Sequence, residues 1–184
     1  PLLFPLLLAG LLILYFPDTS YAHPDVLEKI RMLDENCLAD PSDCSNYLIR
    51  GKLYSIHEDW DAALADFDRA AACDPTMVEV DLQRAQLYFK KGDIGLAHNR
   101  FNAFIAANPR FGSAYMMRGQ LLIKKKQYVA AADDFTSGIL LLDDVRPDNY
   151  IDRARALSEA GPAHYERAVA GLDETWVALD VVGV

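Results

Sequence analysis

Along most of the chain apolar residues recur at three- and four-residue intervals, the spacing that lines one face of a helix. Short polar stretches break the pattern at regular distances: His57-Glu58-Asp59, Lys91-Gly92-Asp93 and Lys125-Lys126-Gln127. Three segments, Tyr47 to Pro75, Asp81 to Pro109 and Tyr115 to Asp143, align without a gap when each is shifted by 34 residues. Gly51, Ala85 and Gly119 then share a column, as do Tyr54, Tyr88 and Leu122. Ala63, Ala97 and Ala131 form a third column, and Phe67, Phe101 and Phe135 a fourth. Pro75 and Pro109 close the first two units, where the third has Asp143. This period predicts a stack of helix–turn–helix units, because one such unit cannot bury its apolar face alone.

Each column has a packing reason. Gly51, Ala85 and Gly119 are small where the second helix of the unit crosses the first, and Ala63, Ala97 and Ala131 are the small residues opposite. Tyr54, Tyr88 and Leu122 fill the space between the two helices, and the three phenylalanines are expected to reach toward the next unit. Asp59 and Asp93 stand where a side chain can accept from the free N–H groups of the second helix. Pro75 and Pro109 stop that helix.

The motif Tyr47, Gly51, Tyr54, Ala63, Phe67, Ala70, Pro75 closely resembles the tetratricopeptide repeat. The second unit departs from it at Asp81, Ala85 and Phe104, and the third at Leu122, Gly138 and Asp143. A weaker fourth unit runs through Tyr150, Ala154, Leu157 and Gly161 to Ala168 and Leu172, with about two residues inserted at Gly161-Pro162-Ala163-His164. The resemblance implies an all-α solenoid, a right-handed superhelix of antiparallel helix pairs. The expected organisation is a leader or anchor over 1–22 and a capping helix and turn over 23–43. Units follow over 44–77, 78–111 and 112–145, with a degenerate fourth over 146–179 and a tail over 180–184.

One column carries charge. Arg50, Arg84, Arg118 and Arg153 precede the small residue in every unit. They form either a ladder for an acidic ligand or structural residues whose stems pack while their heads pair with carboxylates such as Asp66 or Asp134. Recurrence in every unit favours the structural role, since a ligand-specific device would vary between units.

The first sixteen residues are uncharged and mostly apolar, short of the roughly 20 needed to span a bilayer. With Ser20 and Ala22 they match the core and cleavage site of a secretory signal peptide, cut after Ala22. The expectation is export to the periplasm; the alternative is an uncleaved anchor presenting the repeats outside the cytoplasm. In an oxidising compartment Cys37 and Cys44, seven positions apart, are candidates for a disulfide, the alternative being two unpaired small residues, with Cys73 as a core residue. A net charge of −9 repels a phosphate backbone, so nucleic acid is excluded as an expected partner.

The tetratricopeptide resemblance further implies that the first helix of each unit lines a concave, partner-binding groove. Its residues would be Leu48 and Lys52; Leu82, Gln86 and Phe89; Met116, Gln120 and Ile123; and Arg155. Some members clamp a C-terminal carboxylate there with lysine, asparagine and arginine. Here the corresponding positions hold Leu48, Lys52, Gln83, Ser113 and Met117, so that mode is discarded. For catalysis no constellation stands out: the four histidines are scattered and no Gly-rich phosphate loop or nucleophile elbow is present. No cofactor or metal is expected. The function expected is a non-catalytic adaptor for a protein or peptide, which touches a membrane only if residues 1–22 stay attached. The alternative is the interaction module of a larger membrane-anchored enzyme or envelope-assembly component, cut at its C-terminus.

Overall fold

The computed structural model describes residues 24–170. The leader or anchor expected over 1–22, and the tail over 180–184, lie outside that range. Helix α1 (Pro24–Ala39) opens the fold, followed by the antiparallel pair α2 (Cys44–Ile56) and α3 (Trp60–Cys73). A second pair is α4 (Glu79–Lys91) and α5 (Ile94–Ala107), and a third is α6 (Gly112–Lys124) and α7 (Tyr128–Leu141). Then come α8 (Pro147–Glu159), a 3-10 turn (Pro162–His164), and helical residues 165–170. Each helix packs on the next in the chain, which makes an α-solenoid.

The local signals behind these elements are visible one by one. Asp59 accepts from the Ala62 amide at 3.2 Å and Asp93 from the Leu96 amide at 3.0 Å, so both second helices start on an aspartate cap. Glu58, Gly92 and Lys126 occupy one column of the repeat, and all three have left-handed backbone, with φ of 63°, 89° and 58°. One turn geometry therefore recurs three times, twice with a residue other than glycine. On α1, Val26, Ile30, Leu33 and Cys37 form the stripe that covers α2.

The core is continuous with this repetition. Phe67, Phe101 and Phe135 are fully buried, each in a cluster with its own alanine column residue. The phenylalanines do more than reach toward the next unit: a Cβ on Gly51 would lie 2.7 Å from the Phe67 ring, and one on Gly119 2.7 Å from that of Phe135. The ring of the second helix thus lies directly on the glycine of the first.

The candidate Cys37–Cys44 bond is not formed. Cys44, at the start of α2, bonds Cys73, at the end of α3, with their Cα atoms 5.5 Å apart. Antiparallel pairing brings those two helix ends together, which a reading of the intervening turn alone does not reveal. Cys73 is correspondingly exposed rather than in the core. Cys37 is a free, buried thiol, raised above its ordinary pKa first by burial.

Candidate functional site

Helix α2 packs on α4 and α4 on α6, whereas α3, α5 and α7 have no contact of that extent with one another among the described residues. Helices that crowd together line the inside of a curve. The first helices therefore form the concave face, and α8 continues their series by its place in the repeat.

Three of the residues expected in the groove are absent from its surface. Leu48, Leu82 and Met116 are buried, each in a cluster with the phenylalanine of its unit. They sit one turn before Gly51, Ala85 and Gly119, so they tip toward the crossing helix. Met116 packs against Gly138, where an added Cβ would collide with its thioether sulfur. Lys52 is half-buried and tied across to α4 by an ion pair with Glu79 at 2.6 Å. What remains available is Gln86 (half-buried), Gln120 and Arg155 (both exposed), beside the partly buried side chains of Phe89 and Ile123. Arg155 holds only a loose pairing with Asp152, at 3.5 Å.

The face ends in a feature that sequence reasoning missed. Ile151, Ala154, Arg155 and Ser158 of α8 meet Tyr165, Ala168 and Val169 around a hollow of 470 Å³. Ile151, Tyr165 and Val169 remain 40–58% exposed, so the lining is apolar and open. The i, i+4 spacing of Tyr165 and Val169 was the available signal, obscured by the insertion before them. A second depression, of 700 Å³, lies where α5, α6, α7 and the end of α8 meet, and includes His98, Asn102 and Arg118. Burial, then the neighbouring Lys125 and Arg118, push the His98 pKa below its ordinary value.

A tetratricopeptide-repeat family model matches residues 82–139, most of the second and third helix pairs. These two helix pairs are tetratricopeptide repeats. Solved structures of the same fold agree. A MamA from Desulfovibrio magneticus RS-1 superposes with a TM-score of 0.63 at 16% identity, over 87% of this chain and 88% of that one. A tetratricopeptide repeat protein from Parabacteroides merdae ATCC 43184 gives 0.69 at 19%, over 83% and 59% respectively. Cut9, in an APC/C hetero-tetramer with Hcn1, gives 0.70 at 16%, over 83% and 30%. At such identities the likeness is one of fold. Among curated proteins none matches the sequence.

The arginine column takes the structural role. Arg50 grips Asp66 with two bonds of 2.7 Å, and Arg118 grips Asp134 with two of the same length. Asp34 and Arg69 extend the first cluster. The Asp66 hydrogen bonds raise the Arg50 pKa further, against the opposing effect of burial, and Asp134 does the same for Arg118. Three of the arginines also lie over a tyrosine three residues earlier: Arg50 over Tyr47, Arg118 over Tyr115 and Arg153 over Tyr150. Their heads are engaged within the fold. No group of three or more His, Cys, Asp or Glu that could hold a metal occurs among the described residues.

Proposed function

We propose that the chain is a non-catalytic scaffold that holds a protein or peptide partner along the concave face of α2, α4, α6 and α8. The observation that carries this reading is the residual surface of that face. Its core-forming side chains point inward, yet Gln86, Gln120 and Arg155 stay accessible beside Phe89, Ile123 and an open apolar hollow. Polar groups at helical-repeat spacing next to apolar contact area suit an extended or helical segment laid across several units. The likeness to Cut9, solved together with Hcn1, supports a partner of protein nature.

The scaffold acts outside the cytoplasm, in the periplasm. The signal-like first 22 residues support this, as does a Cys44–Cys73 bond of the kind that persists in oxidising compartments. Among the described residues no helix is long and apolar enough to cross a membrane. Affinity capture from an envelope extract, with mass spectrometry, tests the reading. A partner retained by the native chain and lost from a Gln86→Ala, Gln120→Ala, Arg155→Ala variant supports it. Retention unchanged by those substitutions overturns it.

A further inference from the structure

We propose that the edge where α4 and α6 end binds a carboxylate-rich segment of the partner; the inference rests on the scaffold reading and names the partner's chemistry. Of the chain's seven lysines, five stand here: Lys90, Lys91, Lys124, Lys125 and Lys126. The protein carries 27 acidic against 18 basic side chains, so a lysine has carboxylates in excess to choose from. Lys29 and Lys52 take them, pairing with Asp25 and Glu79. Among the described residues no ion pair joins any of the five edge lysines to a carboxylate, and all five are exposed.

The turns themselves lie along one edge. Lys91 shares a depression with His57, Glu58 and Asp61 of the preceding turn, and Lys125 reaches to 3.3 Å from His98 on α5. A favourable helix dipole accounts for lysines in the last turns of α4 and α6, but α2 and α8 have no basic residue there. Nor does it account for Lys126, which holds a left-handed backbone, φ 58°, where the preceding unit uses Gly92.

The strip joins the concave face directly. Lys90 follows Phe89, and Lys124 follows Ile123, each one turn beyond Gln86 or Gln120. A segment that placed apolar side chains on Phe89 and Ile123 would set its neighbouring carboxylates against both lysine turns. Glu58, Asp59 and Asp61 bound the strip at the first unit, which directs the acidic part of the ligand toward the second and third. The concavity favours an elongated peptide over a flat lipid surface, and the overall charge disfavours a phosphate polymer.

Fluorescence anisotropy on the full chain tests this with a labelled peptide alternating glutamate and leucine. Its controls are the glutamine analogue, an oligothymidylate, and phosphatidylglycerol vesicles. The expected result is binding of the glutamate peptide roughly tenfold or more above the glutamine analogue, weakening as salt rises. Replacing all five lysines by glutamine abolishes that preference, replacing them by arginine retains it, and both variants melt like the native chain. Equal binding of the two peptides, preference for vesicles or oligothymidylate, or an unaffected glutamine variant overturns the proposal. A captured partner lost on changing Gln86, Gln120 and Arg155 but kept by the lysine-to-glutamine variant overturns this proposal alone and leaves the scaffold reading standing.

Discussion

The first and third helix pairs are built alike, and the second differs from both. In the first and third, a glycine lies under a phenylalanine ring and a doubly bonded arginine–aspartate pair, buried in the first and part-buried in the third, joins the two helices. In the second, Ala85 replaces the glycine, and Arg100 stands in the column of Asp66 and Asp134. Arg84 and Arg100 cannot pair. Arg84 turns instead to Asp68 of α3 and Asp81 of its own helix, and Arg100 lies over Tyr88 at 5.1 Å. Helices α4 and α5 also approach each other less closely than α2 with α3 or α6 with α7. One period thus accommodates two designs: outer pairs locked within themselves, and a middle pair tied to its neighbour. Glu79 on α4 reaches back to Lys52 in the same way. The least locked pair also supplies Gln86, Phe89, Lys90 and Lys91 to the proposed binding surface.

Several substitutions break or sharpen that contrast. Asp66→Ala leaves Arg50 buried without its main partner and is expected to cost about 3–5 kcal/mol in urea unfolding. Arg100→Ala, at the equivalent place in the middle pair, should cost less than about 1 kcal/mol. Reducing Cys44–Cys73, which spans 29 positions, should remove about 3–4 kcal/mol on the chain-entropy estimate, read as a lower melting temperature in reductant. Gly119→Ala drives a methyl into the Phe135 ring and should cost about 1–3 kcal/mol by calorimetry. Alanine is already native at the matching position, Ala85. Glu58→Gly is expected to give a gain instead: it relieves a left-handed backbone and should add roughly 0.5–1 kcal/mol in urea unfolding.

The period, the helix pairing and the aspartate caps were legible because they rest on local spacing and residue size. The structural role of Arg50 and Arg118 was legible from the recurrence of the arginine in every unit, with Asp66 and Asp134 at matching places in the first and third. The disulfide was not. It depends on which helix ends meet, and Cys73 looks like any other member of an alanine and leucine column. Leu48, Leu82 and Met116 were misplaced because one turn separates a side chain that lines a groove from one that tips beneath the crossing helix. The hollow at Ile151, Tyr165 and Val169 was hidden by the insertion in the fourth unit, which shifts the register on which the alignment depended.

A double-mutant cycle tests most directly whether the outer pairs carry an internal lock that the middle pair lacks. Stability is measured for Arg118→Ala, Asp134→Ala and their combination, and likewise for Arg84→Ala, Arg100→Ala and theirs. The expected result is a favourable coupling of about 1–3 kcal/mol for Arg118 with Asp134 and essentially none for Arg84 with Arg100. Equal couplings in the two cycles would show that no such lock sets the outer pairs apart.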